Sequence, residues 1–296
     1  MGELLPRALY EFDIQLLNSQ DQIVTRHLDT HYLITDKNLV LWWGMNDLAG
    51  FFLEHTKSEF PNYVDPLKEY GFIYHTEASH WLPNFRGLSF DKGNNAAHYR
   101  GKQDSPHVSP TAITVELLVR VDKLTNKMKY LYSKNGEFAL GIDDIGGNQF
   151  KFVGVLGDTS QGCKVGTNGF DDQNANWFEI KSELINFDPM DKHKNWHYVA
   201  ISYDKNLSKA TMYVNGLEKS DPFNKNLNTT CTSIHALNFL HYEGVDGNIG
   251  DFLGVISEVA LYNKALSAEE IKASCERLAG DAYGYGVDPA LIHKCE

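Results

Sequence analysis

Polar and apolar residues alternate along this chain in short blocks, and most blocks read as β-strands. From Tyr10 to Leu16, the residues Tyr10, Phe12, Ile14 and Leu16 fall on one face and Glu11, Asp13 and Gln15 on the other. That period of two predicts a half-buried strand, with Asn18-Ser19-Gln20-Asp21 after it as a turn. The pattern then becomes mixed up to Asn38, so residues 1–38 are read as an N-terminal arm or extra strands. Leu39-Val40-Leu41-Trp42-Trp43 is a compact apolar run that stops at Gly44. The clearest alternation runs from Ile113 to Val121: Val115, Leu117, Val119 and Val121 face one way, Thr114, Glu116 and Arg120 the other. Further strands are predicted at residues 129–133, 137–142, 150–155 and 177–184. Trp196, Tyr198, Ala200 and Ser202 alternate with His197, Val199, Ile201 and Tyr203. Both of those sets are largely apolar, which predicts a strand deep in the core.

The punctuation agrees with this reading. Asn215-Gly216 tolerates the positive φ angles of a tight hairpin turn. Residues 157–176 are rich in Gly, Asp, Asn and Gln and predict a long surface loop. Ser267-Ala268-Glu269-Glu270 is a capping box, starting a helix that is expected to run to Leu278, before Gly280. Evenly spread strands with one late helix predict an all-β protein, an antiparallel two-sheet β-sandwich with one short C-terminal helix, and not a parallel α/β sheet. At 296 residues the chain can bury a core without needing a metal or a disulfide.

Three phrases in the last third add a family resemblance. They are Asn195-Trp196-His197-Tyr198-Val199-Ala200-Ile201-Ser202-Tyr203-Asp204, then Ala210-Thr211-Met212-Tyr213-Val214-Asn215-Gly216, then Phe252-Leu253-Gly254-Val255-Ile256-Ser257-Glu258-Val259-Ala260-Leu261-Tyr262-Asn263. In this order they resemble the closing half of a laminin-G-like jelly roll of the concanavalin A-like lectin/glucanase superfamily. Gly87-Leu88-Ser89-Phe90-Asp91 is similar to an earlier strand-and-turn phrase of that family. The resemblance implies a jelly-roll domain over residues 39–278, with residues 279–296 as a tail that wraps the surface. It also implies a recognition platform, some branches of which cleave sugars. The family's closing strand usually carries Asp-Glu where this chain has Ser257-Glu258. By resemblance a calcium ion would recruit Asn46, Asp47 and Glu258, with Ser257 lowering the charge on offer. The competing reading of Glu258 is a hydrogen bond near the end of the sheet.

Composition narrows the partners. The net charge of −12, with no long basic run, disfavours nucleic acid. No apolar run is long enough for a membrane span. Cys163, Cys231, Cys275 and Cys295 form no Cys-x-x-Cys pair, which argues against a zinc knuckle, and their three pairings stay open. Met1-Gly2-Glu3-Leu4-Leu5-Pro6-Arg7 lacks a signal-peptide layout. The expected location is nonetheless extracellular or on a virion surface, where lectin-like sandwiches operate.

Candidate chemistry was sought for both an enzyme and a binder. Glu11-Phe12-Asp13-Ile14-Gln15-Leu16 begins like the Glu-x-Asp-x-x-Glu strand of concanavalin A-like glucanases, but Leu16 stands where the second Glu belongs. His75-Thr76-Glu77-Ala78-Ser79-His80 has the wrong spacing for a zinc protease. Carbohydrate binding has better candidates: Trp177 with Asp171, Asp172, Asn174 and Asn176 beside it, and Trp81 in the earlier connection. An aromatic face stacks on sugar C–H groups while loop oxygens bind hydroxyls. The competing reading of each Trp is core or rim packing, the fate expected for Trp42, Trp43 and Trp196. The expected function is non-catalytic recognition of glycans or partner proteins at a surface, as in a virion decoration or fibre. Residues 1–38 would mediate a homo-oligomer or larger assembly. The alternative is a polysaccharide-active enzyme, a glycoside hydrolase or lyase.

Overall fold

A computed structural model describes residues 8–20, 22–33, 38–44, 79–81, 88–90, 99–100, 112–125, 129–134, 137–157, 177–204, 207, 209–220, 237–239, 252–285 and 294–295. The chain divides into two compact units, one containing the hairpin near the N-terminus and the other all remaining described elements.

The hairpin pairs β1 (Ala8–Leu17) with β2 (Ile23–Leu33). The mixed pattern of Ile23-Val24-Thr25-Arg26-His27 hid β2 in the sequence. Asn18 makes the turn, its Oδ1 accepting from the amides of Gln20 at 2.9 Å and Gln22 at 3.0 Å.

The larger unit opens with β3 (Leu39–Gly44), β4 (Ser79–Trp81), β5 (Leu88–Phe90), β6 (Tyr99–Arg100) and β7 (Ile113–Lys123). Next come β8 (Lys129–Lys134), β9 (Phe138–Gly146), β10 (Gln149–Gly157), β11 (Trp177–Lys181) and β12 (Ile185–Asn186). A 3-10 turn at Lys192–Asn195 leads into β13 (Trp196–Asp204), β14 (Lys209–Val214) and β15 (Leu217–Glu218). The chain closes with β16 (Leu237–Phe239), β17 (Leu253–Tyr262) and α1 (Ala268–Tyr285).

Among the described residues these strands form two antiparallel sheets. The first runs β11-β10-β9-β8-β16-β6, with β12 also on β10. The second runs β15-β14-β13-β7-β17-β5-β4, with β3 also on β17. The protein is an antiparallel β-sandwich of the jelly-roll type. Phe150 and Phe152 of the first sheet meet His197 of the second edge-on, each with ring centroids 5.6 Å apart, which fixes the inward faces. On the second sheet Val115, Leu117, Val119, Val199, Ile201 and Val259 belong to the inward rows and are buried.

The opposite face of the second sheet is buried as well: Leu118, Tyr198, Ala200 and Ala260 have essentially no exposure. Trp196 through Tyr203 are buried without exception, as the doubly apolar pattern predicts. Helix α1 supplies the cover, turning a buried stripe of Ile271, Cys275 and Leu278 inward. Thr114 seats the approach to it, donating to the carbonyl of Lys264 at 2.9 Å and accepting from the amide of Leu266 at 2.9 Å. The capping box forms as expected: Ser267 Oγ accepts from the Glu270 amide at 3.2 Å, and Glu270 Oε2 accepts from the Ser267 amide at 2.9 Å. The helix runs past Gly280 to Tyr285, longer than the sequence suggested; a single glycine costs a helix only about 1 kcal/mol. Asn215 and Gly216 take φ angles of 53° and 78°, the pair of positive values of a tight hairpin turn. A Cβ on Gly216 would sit 3.4 Å from Cys275 Cβ, so the turn also lets the helix come close.

Cys275 is joined to Cys295, fastening the helix to the end of the chain, and Lys294 Nζ donates to the carbonyl of Trp196 at 2.9 Å. Closing a loop over a separation of 20 residues stabilises the fold by about 3 kcal/mol. Cys163 and Cys231 lie outside the described residues. With Cys275 and Cys295 joined, each is the other's only remaining partner within the chain. Their connections leave the first sheet at one end, because Leu237, Lys134, Phe138 and Leu156 form a single row across β16, β8, β9 and β10. Peptide mapping without reduction is expected to recover Cys163 linked to Cys231; reactive thiols at these positions in denaturant would refute this.

Candidate functional site

The first sheet presents its candidate site on the face turned away from the second. Along β10 the inward row is Phe150, Phe152, Gly154 and Leu156. Gly154 is small for a reason: a Cβ there would press on Ile201 of the opposite sheet and lie 3.2 Å from both Ile180 and Met212. Lys151, Val153, Val155 and Gly157 therefore belong to the outward row. Register carries the assignment to β11. Phe178 stands opposite Leu156 and Ile180 opposite Gly154, both inward and buried. Trp177 stands opposite Gly157, Glu179 opposite Val155 and Lys181 opposite Val153, all in outward rows. Asp143 of β9 pairs with Lys151 and shares this face.

Lys181 organises the charges. Its Nζ lies 3.2 Å from Glu179 Oε1 and 3.4 Å from Asp143 Oδ2, with 33%, 41% and 24% of the respective side chains exposed. Partial burial acts to lower the Lys181 pKa, and the Glu179 and Asp143 carboxylates outweigh it, so the ammonium is held above its ordinary range. Val153, Val155, Ala139 and Ser133, in the middle of the face, are buried, and the partly exposed side chains of the described face are Lys151, Asp143, Glu179 and Lys181.

The residues singled out in the sequence divide as follows. Trp177 is the first residue of β11 and belongs to this outward face, beside Glu179 and Lys181. Asp171, Asp172, Asn174 and Asn176 lie outside the described residues, in the segment that enters β11 at Trp177. Trp81 is in β4, far along the second sheet. It stands opposite Leu88 of β5, and its side chain lies outside what the structure describes. Asn46 and Asp47 lie outside the described residues. Glu258 is opposite Gly44 in the register of β17 and β3, at the end of the strand that leads towards them. Glu11 and Asp13 belong to the β1–β2 hairpin and to neither sheet of the sandwich. Sequence reasoning missed Asp143, Glu179 and Lys181. The alternation Trp177-x-Glu179-x-Lys181 would have shown two of them.

Glu258 is the one calcium candidate among the described residues. Its Oε1 accepts from Arg277 Nη2 of α1 at 2.9 Å, with both side chains mostly buried. A guanidinium already supplies the positive charge there, and a cation would have to displace it. This pair ties the helix to the sheet; the other two candidate ligands, Asn46 and Asp47, lie outside the described residues. Among the described residues no three or more His, Cys, Asp or Glu side chains are grouped to hold a metal.

Other buried polar groups serve the core. Tyr198 Oη donates to Glu116 Oε1 at 2.6 Å beneath the helix. Lys134 and Glu137 form a buried pair at 2.6 Å, and burial lowers the Lys134 pKa against the pull of its partner. His197 is buried between Phe150 and Phe152, and neither ring nitrogen has a hydrogen-bond partner among the described residues. Burial, with a smaller contribution from Lys294, pushes its pKa well below the usual imidazole range.

The fold and this half-open outward face define a lectin-like β-sandwich. A family model of the concanavalin A-like lectin/glucanases superfamily matches residues 94–272, and the chain belongs to that superfamily. Similar solved structures include the binding domain of botulinum neurotoxin DC in complex with SialylT, at 15% identity and a TM-score of 0.46 over 68% of this chain and 45% of that one. A Trypanosoma rangeli sialidase in complex with sialic acid matches at 15% identity and a TM-score of 0.43, over 70% of this chain and 29% of that one. This chain thus spans less than half the length of either. No curated protein matches the sequence.

Two outcomes are expected. His197 has a lowered folded pKa, so below about pH 6.5 the unfolded chain binds the extra proton and stability falls by up to about 1.4 kcal/mol per pH unit. Thermal melts from pH 7 to pH 5 should show this loss, and His197→Leu should flatten it. Arg277→Ala should lower the melting temperature by removing the mostly buried ion pair to Glu258 that holds the helix, at a cost of up to about 3 kcal/mol. A chelator should leave the wild-type melt unchanged; a calcium-dependent rise would restore a metal role for Glu258.

Proposed function

We propose that this protein recognises carbohydrate, without cleaving it, on the outward face of β9, β10 and β11. The observation that carries the reading is the alternation of β11, which turns Phe178 and Ile180 into the core and assigns Trp177, Glu179 and Lys181 to the outside. In the proposed site, a tryptophan on the same strand as paired charged groups supplies the chemistry that stacks on a sugar ring and binds its hydroxyls. Membership of the superfamily supports the same class of ligand. Asp171, Asp172, Asn174 and Asn176 directly precede Trp177 and extend the set of acceptors and donors.

Charge narrows the ligand. On the outward face Lys151 and Lys181 balance Asp143 and Glu179, on a chain with a net charge of −12. This favours neutral glycans over sialylated or sulfated ones. The Cys275–Cys295 bond favours an oxidising, extracellular setting. A place in a virion or other surface assembly would draw on the hairpin and not on this face.

A glycan array with the purified protein is expected to show binding to neutral oligosaccharides. Trp177→Ala should weaken it by about tenfold or more, an effect of about 1.4 kcal/mol, with an unchanged melting temperature. Binding by the variant equal to wild type, or no binding to any glycan, would reject the site. Release of new reducing ends from the bound sugars would replace this reading with the glycoside-cleaving alternative.

A further inference from the structure

His197 is a buried titratable group to which the carbohydrate reading gives no role, yet its neighbours lead to the proposed site. It is the second residue of β13 and lies in an inward row beside Val119 of β7. Across the sandwich, Phe150 and Phe152 of β10 meet its ring edge-on, at interplanar angles of 77° and 69°. Neither ring nitrogen has a hydrogen-bond partner among the described residues. While neutral, such an imidazole packs like an apolar ring; a second proton there would be desolvated and unpaired.

The charged groups of the surrounding elements give an imidazolium no support. Asp144 of β9 stands opposite Phe150, and its Oδ1 accepts from the Gly146 amide at 2.8 Å. Asp143 of β9, Lys151 of β10, and Glu179 and Lys181 of β11 belong to the outward rows. Glu116, Arg120 and Asp122 of β7 and Glu258 of β17 belong to the opposite face of the second sheet. Lys123 stands beyond the last rung that β7 shares with β13, and Lys192, His193 and Lys194 of the 3-10 turn are exposed, as is Lys123. Lys294 at the chain end does act on the imidazole, and its charge repels a proton. Burial first, then that repulsion, keeps His197 neutral at pH 7.

The rings that enclose His197 belong to one end of the first sheet. There β9 and β10 join through Gly147 and Asn148, and Phe150 is flanked by Asp144 and by Ile185 of β12, both partly exposed. This tip also carries Asp143, whose Oδ2 lies 3.4 Å from Lys181 Nζ. The end of β11 is fastened elsewhere. The Ser182 amide donates to the Phe152 carbonyl at 2.9 Å, its Oγ accepts from the Phe152 amide at 3.0 Å, and Ser182 then bridges to Ser220. Ser220 Oγ accepts from the Met212 amide of β14 at 2.7 Å, and the Glu183 amide donates to the Lys219 carbonyl at 2.7 Å. The end of β11, with Lys181, is thus tied to the second sheet, while Asp143 is carried by the tip.

We propose that His197 is an acid-sensitive latch: neutral, it holds the β9–β10 tip against the second sheet; protonated, it releases the tip and parts Asp143 from Lys181. That the latch regulates binding rests on the carbohydrate reading above; the release itself does not. The open form takes up the proton with an ordinary pKa of about 6.5 and the closed form only well below it, so acid favours opening by up to about tenfold per pH unit below 6.5. A ligand that needs both side chains binds the closed form and opposes the release.

Amide hydrogen exchange of the full chain, corrected for intrinsic rates, should show protection at residues 143–151 falling by up to about thirtyfold from pH 6.5 to pH 5. At both pH values the tip should exchange faster than the amides of β7. His197→Leu, and His197→Phe as a second apolar filling, should remove the pH dependence at the tip. Protection there that does not change with pH overturns the latch, as does a dependence that persists in either folded variant. Tip protection equal to that of β7 would mean that the histidine acts only in global unfolding, and overturns it too. A neutral oligosaccharide bound by the protein should raise tip protection at pH 5; binding that leaves it unchanged overturns the regulation. A protein that binds no glycan rejects the carbohydrate reading, and the exchange result then decides the latch alone.

Discussion

Strands β13, β7 and β17 have no face left for water, and that one condition shapes the larger unit. Antiparallel sheets ordinarily bury one side and hydrate the other. Here Val199, Leu117 and Val259 fill the interior between the sheets, while Tyr198, Leu118 and Ala260 fill a second interior on the opposite side. Each large apolar side chain buried there contributes about 2 kcal/mol, and leaving the layer open would expose several at once. Helix α1 closes it. The capping box at Ser267 sets where the helix starts, Gly216 lets it approach the β14–β15 turn, and Cys275–Cys295 pins it to the chain end.

The polar residues under that cover follow the same condition. Thr114 and Ser202 sit on the helix side, where an apolar residue would pack equally well, but they bind the Lys264 and Leu266 backbone and so fix the helix approach. Glu116 accepts a hydrogen bond from Tyr198, and Glu258 is ion-paired with Arg277. Removing either partner would cost a buried carboxylate one of its donors, a larger loss than the interaction itself contributes. Glu258 therefore holds the helix down. Ser257, in the position where the family usually has an acid, sits at a register irregularity between β17 and β7.

The sequence was most legible where a local rule had one dominant cause. The alternation from Ile113 to Val121, the doubly apolar strand from Trp196, the Asn215-Gly216 turn and the Ser267 capping box all formed as read. Strand β2 was hidden because its apolar residues do not alternate; its pairing comes from β1 and the Asn18 turn. Short strands such as β6 and β16 exist through their neighbours and have no periodicity to detect. The site was less legible still. Which face of β11 points outward depends on β10 and on its contacts with the other sheet, so neither Trp177 nor Trp81 could be placed from its surroundings in the chain. Register sets Trp177 opposite Gly157 of β10 and Trp81 opposite Leu88 of β5.

The closed face of the second sheet also directs the functional reading. A sandwich has two outward faces on which a flat ligand can lie. In this protein the helix and the chain end occupy one of them, and the charges beneath are satisfied internally. The outward face of the first sheet is also buried at its centre, at Val153, Val155, Ala139 and Ser133. Partial exposure is kept at Asp143, Glu179 and Lys181, where Lys181 shares its charge between two carboxylates. The covering of the second sheet thus directs the proposed reading to the β11 edge of the first.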